Sequence, residues 1–350
     1  MSGRMPDTPR LHPLTGATRY RAPWWLPGGH LQTLYPALLL RPAAPPYRRE
    51  CWDTPDADFV EVDWLDGSEG APLVVLFHGL EGGSRSPYAA NLMRHLAAAG
   101  WRGVVPHFRG CGGRLNRLPR AYHSGDATEI GWMLRQAASR SGADTVYAVG
   151  VSLGGNALLK WLAQAGAGAD VLVRRAAAVS APLDLRRAGD GLAVGLNRIY
   201  TRHFLRSMKR KSLAKLALFP NLYDRDALRR ARTLRAFDDL VTAPLHGFRD
   251  ADDYWSRASA LPDLHAIRVP TLIVHARNDP FLPGEYLSWD AHAAPCVTLE
   301  ITEGGGHAGF VSGPFPGRLD WLPQRLLRFF GAGASCAEAV ASGPASRVTG

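Results

Sequence analysis

Residues 145–163 read TVYAVGVSLGGNALLKWLA, and Gly150 to Gly154 within them form a G-x-S-x-G pattern. Thr145 to Val149 predicts a strand, and the residues from Leu153 onward predict a helix. A serine at such a strand-to-helix turn projects its hydroxyl from the sheet edge, and glycines two positions away on either side avoid a collision. The stretch therefore predicts a nucleophilic Ser152, with a purely structural turn as the alternative.

Strands and helices alternate on both sides of this turn. Helices are expected from Ser86 to Gly100 and from a cap at Asp126, where Glu129 completes a capping-box pair. This alternation predicts an α/β fold with a mostly parallel sheet and helices on both faces. The further strands are expected at Phe59 to Leu65 (half-buried), Pro72 to Phe77, Gly103 to Phe108, Arg175 to Ser180, Thr271 to His275 and Val297 to Ile301.

The 350 residues divide by composition into three parts. Residues 1–50 are rich in Pro and Arg and are expected to form an arm with Trp24, Trp25 and Leu31 as buried anchors. Residues 51–330 form the main domain, with a helical cap inserted at about 182–261, and residues 331–350 form a flexible tail. The cap is expected to supply an apolar acyl pocket from some of Phe204, Leu205, Leu213, Leu216, Leu218, Phe219 and Tyr223.

A serine nucleophile needs a base and an orienting acid, which in this kind of fold follow it in the order acid, then histidine. His307 lies in EGGGHAGF just after the last predicted strand and is the expected base. The rival histidines further along the chain than Ser152, His265, His275 and His292, are expected to be structural or solvated. Asp279 follows the strand TLIVH and is the expected acid. Asp184 is the competing acid, since it also follows a strand, but it could instead cap the first helix of the insertion.

Two backbone N–H groups are needed to bind a developing oxyanion. One is assigned to Leu153, directly after the nucleophile. The other is assigned to Leu80 in HGLEGG, with Glu81 as the fallback, because Gly79 lets that backbone approach a substrate. His78 is expected to brace this loop as a structural residue.

The loop FRGCGG follows another predicted strand. Arg109 is expected to hold this loop by hydrogen bonds, and Cys111 is not a nucleophile because it has no strand-to-helix turn. The four cysteines match no zinc spacing or disulfide framework, so free thiols in a cytoplasmic protein are expected. They are Cys51, Cys111, Cys296 and Cys336.

The chain carries a net charge of +10. Its densest basic run, RHFLRSMKRKSLAK, spans Arg202 to Lys215 without an acid. Such a run can form the solvated face of a helix, or it can attract an anionic lipid or substrate. We expect no nucleic-acid partner. No stretch reaches 18 consecutive apolar residues, and the N-terminus lacks the apolar region of a secretory signal, so neither a membrane span nor a cleaved leader is expected.

Seven stretches resemble the AB hydrolase 4 family, the YheT-like esterases of the α/β-hydrolase superfamily. They are PWWLPGGHLQTLYP, LFHGLEGGSRSPYAANL, FRGCGG, YHSGD, AVGVSLGGNALLKWL, RNDPF and GGGHAGF, spread over residues 23–310. The resemblance implies a charge-relay triad of Ser152, Asp279 and His307 and hydrolysis of a small or lipid-like carboxylic ester, with no cofactor or metal. Acyl transfer or thioester cleavage on the same residues, and a non-catalytic protein of the membrane surface, are the alternatives. His30 in GGHLQT is expected to pack rather than to react.

Overall fold

The computed structural model describes residues 19–282 and 293–332. Within them an eight-stranded sheet has the order β1-β2-β4-β3-β5-β6-β7-β8, in which β1 and β4 each pair antiparallel with β2 and all other pairs are parallel. The predicted α/β class with a mostly parallel sheet is confirmed. The strands are β1 Arg48–Asp53, β2 Phe59–Leu65, β3 Leu73–Phe77, β4 Arg102–Pro106, β5 Val146–Val151, β6 Arg175–Val179, β7 Thr271–Ala276 and β8 Val297–Thr302.

Helices cover both faces of the sheet and fill the segment between β6 and β7. The α-helices are α1 Gly29–Leu38, α2 Pro87–Ala98, α3 Ala127–Ser141, α4 Leu153–Ala165, α5 Leu185–Leu192, α6 Arg198–Leu218, α7 Arg225–Arg230, α8 Leu234–Phe237, α9 Ala243–Leu245, α10 Ala251–Ala258 and α11 Trp321–Gly331. Short segments of 3₁₀ helix occur at Gly166–Ala169, Gly195–Asn197 and Leu261–Ala266, and one of π helix at Asp238–Thr242.

The helix signals in the sequence have mixed outcomes. The Asp126 side chain accepts a hydrogen bond from the Glu129 N–H, so the predicted cap of α3 is confirmed. The Glu129 side chain, however, binds Arg109 rather than closing a capping box. Ser86 precedes α2 but makes no capping bond, because its Oγ accepts the N–H of Gly83 instead.

Strand β2 differs from its expected half-buried state, since all seven of its residues are buried. Its acidic residues are inside because they have partners there. Asp63 accepts hydrogen bonds from Arg49, Ser84 and His107. Burial favours the neutral form of Asp63, but these bonds outweigh it and hold its pKa below the usual range. The missed strand β1, RRECWD, is the charged edge strand that pairs with β2.

The predicted anchors of the N-terminal arm are largely wrong. Trp24 is 92% exposed and Leu31 is 51% exposed, and Trp25 is only half-buried. The buried members of helix α1 include the polar Gln32 and Thr33. Their side chains accept backbone N–H groups of the loop after β8. The buried apolar anchors of the arm are Tyr20 and Leu26.

The segment between β6 and β7 has an apolar cluster of its own. Asp184 begins it as the N-cap of α5, accepting the N–H of Arg187, which confirms that expected role. No helix among the described residues is both long and apolar enough to cross a membrane. His292 and nearly all of the expected tail fall outside the described residues. The buried members of the cap cluster are Leu205, Leu216, Leu228, Phe237 and Val241.

Candidate active site

Ser152 lies between β5 and α4 with φ 53° and ψ −121°. Residues other than glycine rarely adopt a backbone conformation with such a positive φ. The turn is tight enough that its glycines are required. A Cβ on Gly150 would lie 2.4 Å from the carbonyl oxygen of Gly154, and one on Gly154 would lie 2.5 Å from the carbonyl oxygen of Phe77. The backbone therefore has the sharp strand-to-helix geometry that projects the Ser152 hydroxyl from the sheet edge.

His307 links Ser152 to Asp279. Its Nε2 lies 2.9 Å from Ser152 Oγ, and its Nδ1 lies 2.8 Å from Asp279 Oδ2. A carboxylate only accepts hydrogen bonds, so Nδ1 carries the proton and Nε2 is free to accept the hydroxyl proton. Asp184, the competing acid, is occupied as a helix cap.

Asp279 is fully buried yet stays ionised. Burial raises the pKa of this carboxyl group, but the charge and hydrogen bond of His307, together with His275 and the Phe281 N–H, outweigh burial and lower it. The Phe281 N–H donates to Asp279 Oδ1 at 2.8 Å. Both carboxylate oxygens thus have fixed donors, which orients Asp279 toward the imidazole.

The arm holds the loop that carries His307, a role that the sequence did not reveal. Thr33 Oγ1 accepts the His307 N–H at 2.8 Å, and Gln32 Oε1 accepts the N–H of Gly305 at 2.7 Å. Asn278, in the loop after β7, joins helix α1 to the loop after β8, since its side chain donates to Gln32 and accepts the N–H of Gly306. The GGHLQT motif was the available signal, but its spacing does not say which loop it binds.

His30 belongs to the same motif but faces the cap. Its Nδ1 lies 3.1 Å from the hydroxyl of Tyr200, and the two rings stack. The expected packing role of His30 is therefore confirmed. Gly29 beside it has no room for a side chain, because a Cβ would lie 1.8 Å from the carbonyl oxygen of Asn278.

The loop after β3 lies against Ser152. A Cβ on Gly79 would lie 3.2 Å from that of Ser152. The Gly79 N–H donates to the Tyr88 hydroxyl at 2.9 Å, and the Glu81 N–H donates to the Tyr122 hydroxyl at 3.0 Å. Between them, the Leu80 N–H has no acceptor among residues 19–282 and 293–332. Leu153 is the first residue of α4, where N–H groups lack helical partners.

The Glu81 side chain ties this loop to helix α6. Its carboxylate binds Lys211, the Tyr122 hydroxyl and Ser207. Glu81 itself has a left-handed backbone with φ 56°. Burial opposes the charge on Lys211, but Cys111 and Glu81 raise its pKa overall. The fallback donor Glu81 therefore has both its N–H and its carboxylate engaged.

The remaining predicted residues have structural contacts. His78 is buried: its Nδ1 contacts the Gly79 carbonyl, its Nε2 accepts the Phe108 N–H, and burial lowers its pKa to about 3. The bracing role of His78 is thus confirmed. Arg109 binds Asp58 and Glu129, which confirms that it holds its loop.

The cysteines and possible metal ligands complete the described chemistry. Burial raises the pKa of the Cys111 thiol to about 11, which keeps it protonated near neutral pH. Cys51 and Cys111 carry free thiols, and the Cys296 Sγ lies 3.3 Å from the Ile267 carbonyl oxygen. Cys336 lies outside the described residues. Across the described part of the chain, no three His, Cys, Asp or Glu side chains are placed to hold a metal ion.

A cavity of about 160 Å³ opens beside Ser152, between the sheet edge and the cap. Of the apolar residues expected to form it, Phe204 and Tyr223 line it. Leu216 is instead buried in the cap cluster, and Leu218 is 59% exposed. Other apolar walls come from Leu185, Leu192, Leu234, Phe237, Val241 and Trp255, and the polar end from Glu81, Arg109, Lys211 and Lys215.

Comparison with known proteins agrees with this architecture. Residues 72–314 match the alpha/beta hydrolase fold family. The chain is 41% identical over 303 residues to the Escherichia coli protein named "Putative esterase YheT", covering 85% of this chain and 88% of that one. The chain therefore belongs to the α/β-hydrolase superfamily and, within it, to the AB hydrolase 4 family of YheT-like esterases.

Two more distant matches bear the names of hydrolases. Mouse phospholipase ABHD3 is 28% identical over 91% of this chain and 79% of its own length. A solved esterase of Pyrococcus furiosus superposes with a TM-score of 0.52 at 15% identity, covering 81% of this chain and 92% of that one, and so shares the fold. The relatives found by sequence, which bear the names of an esterase and a phospholipase, support a hydrolytic enzyme.

Proposed function

We propose that this protein hydrolyses carboxylic esters through an acyl-enzyme intermediate on Ser152. The observation that carries the proposal is the chain of two short contacts from Ser152 through His307 to Asp279. A serine hydroxyl is a weak nucleophile until a positioned base removes its proton, and His307 Nε2 is within reach to do so.

The reaction follows from this arrangement. Ser152 Oγ attacks the ester carbonyl as His307 takes its proton, and ionised Asp279 stabilises the resulting imidazolium. The N–H groups of Leu80 and Leu153 bind the oxyanion. His307 then protonates the departing alcohol, and a water molecule, activated by the same imidazole, releases the acid. The cavity's apolar walls favour an apolar, lipid-like acyl group.

Replacing Ser152 with Ala tests the proposal. Loss of a triad serine costs about a million-fold in turnover, so the variant should lose hydrolysis of a panel of p-nitrophenyl esters and labelling by a fluorophosphonate probe. Circular dichroism controls for folding. Ester hydrolysis at the wild-type rate in a folded Ser152→Ala protein would refute the assignment. Addition of alcohol acceptors to the wild-type reaction would reveal acyl transfer as an increase in ester product at the expense of free acid.

A further inference from the structure

Helix α6 has two faces with opposite environments. Phe204, Met208, Lys211 and Lys215 face inward and line the cavity. The two lysines of this set are bonded, Lys211 to Glu81 and Lys215 to backbone carbonyls that include Asn116 O at 2.6 Å. The inward part of the basic run is therefore used within the fold.

The outward face carries an arginine row, defined as Arg198, Arg202, Arg206 and Arg210. All four side chains are exposed, and none has an ion-pair or hydrogen-bond partner in the part of the chain that the structure describes. A spacing of four residues turns by only about 40° per step, so the row stays on one side of the helix over about 18 Å. Four unpaired cations in a line form a strip of positive potential.

An exposed apolar group adjoins the start of the row. We call Val194, Leu196 and Ile199 the apolar rim; they are 62%, 65% and 61% exposed. The rim lies close to the candidate active site, because the neighbouring Tyr200 packs on Phe281 at a ring distance of 4.7 Å. Phe281 in turn lies 4.1 Å from the His307 ring, again between ring centres.

We propose that the arginine row and the apolar rim form a docking surface for a lipid bilayer that contains anionic lipids. Arginines attract the negative surface of such a bilayer, while exposed apolar side chains enter the boundary between headgroups and acyl chains. A nucleic acid would satisfy the arginines alone, since its phosphate backbone has no use for the apolar rim. Docking would place the cavity beside the source of lipid-like esters.

Vesicle sedimentation of the full-length protein tests this inference without requiring ester hydrolysis. Binding should be strong to vesicles of phosphatidylcholine mixed with phosphatidylglycerol, weak to phosphatidylcholine alone, and reduced by added salt. Each arginine near an anionic bilayer contributes about fivefold in affinity, so the double variant Arg202→Gln/Arg206→Gln should bind about 25-fold more weakly. The single variant Ile199→Ser has the same net charge as the wild type and should bind these vesicles more weakly than the wild type does.

The matched control is Arg135→Gln/Arg174→Gln. These two arginines are also exposed and lack ion-pair partners among the described residues, but they lie on α3 and immediately before β6. This variant has the same net charge as the test variant and should bind like wild type. Equal weakening in both doubles would show that net charge alone governs binding and would overturn the proposal. Absence of vesicle binding by the wild type would also overturn the proposal. In that case, binding of a DNA duplex by the wild type but not by Arg202→Gln/Arg206→Gln would assign the arginine row to nucleic acid.

Discussion

At the scale of single residues, the backbone of Ser152 is the most informative feature. A left-handed conformation costs a serine about 1–3 kcal/mol, so the surrounding structure must hold it there. The Ser152 N–H does so by donating to the Val179 carbonyl at 2.8 Å, and helix α4 fixes the other side. Strain of this kind is concentrated at functional sites, which agrees with the proposed nucleophile.

The identity of the orienting acid gives a prediction at this scale. Asp279→Asn should fold and lose about ten-thousandfold in turnover, because the amide favours the wrong tautomer of His307. Asp184→Asn is the matched control: it removes a charge from a helix cap, should cost at most about 2 kcal/mol of stability and should leave turnover nearly intact. Both are measured on one ester beside thermal unfolding. A large loss of turnover in Asp184→Asn alone would reverse the assignment.

At the scale of elements, helix α1 positions the loop that carries His307. Thr33→Val keeps the shape of the side chain but leaves the His307 N–H without its acceptor. We expect turnover to fall by about one to two orders of magnitude, since small misplacements of a catalytic group are costly.

Thr271→Val is the control for this change. Thr271 is also buried, and its hydroxyl donates to the Val269 carbonyl, as the Thr33 hydroxyl donates to the Gly29 carbonyl. Thr271 lies at the opposite end of β7 from Asp279. Both variants should lose about 1–3 kcal/mol of stability. Among the folded proteins, only Thr33→Val should show reduced turnover. Equal turnover in the two variants would mean that α1 does not position His307.

The cap supplies a second prediction at this scale. Phe204 lines the cavity, whereas Leu216 is buried in the cap's own cluster. Phe204→Ala should therefore shift the preferred acyl length of an ester panel. Leu216→Ala should cost about 2–5 kcal/mol of stability and lower all esters by one common factor. Identical ester profiles for the two variants would show that Phe204 does not contact the acyl chain.

Sequence patterns were informative where one stretch determines its own geometry. The strand, serine turn and helix around Ser152 are local, and chain order then selected His307 and Asp279 as its neighbours. The contacts of Gln32 and Thr33 could not be predicted in this way, because they join segments more than 240 residues apart through buried polar groups. The anchors expected at Trp24 and Leu31 were wrong for the same reason: the aromatic residue that does anchor the arm, Tyr20, packs against Phe310 and Trp321, far along the chain.

At the scale of the whole molecule, the sheet brings these distant segments together. Leu80, Ser152, Asp279 and His307 follow β3, β5, β7 and β8, which are parallel, so all four lie at the same edge. Open parallel sheets bind ligands at this edge. Helix α1 contacts the loops after β7 and β8 there, and the cap faces them across the cavity.

The buried histidines contribute a predictable part of the pH dependence of stability of the whole molecule. Burial lowers the pKa of His78 to about 3 and that of His123 to about 4, while burial and the neighbouring His123 lower the pKa of His246 to about 3. In the unfolded chain a histidine has a pKa of about 6.5. Between about pH 6.5 and 4 these three histidines therefore bind more protons in the unfolded state, and their contribution to stability falls as pH falls. Burial raises the pKa of the Glu129 and Asp238 carboxyl groups, which contribute in the opposite direction.

Each such histidine should lower the free energy of unfolding by up to about 1.4 kcal/mol per pH unit in this window. Urea unfolding measured between pH 7.5 and about 4.5 gives the slope, and hence the proton uptake on unfolding. His123→Phe should reduce that uptake by about one proton, because the ring is nonionisable and can keep the packing against Phe248 and Tyr254. His265→Gln, at an exposed position, controls for substitution. Equal proton uptake on unfolding in His123→Phe and in the wild type would contradict a buried neutral His123.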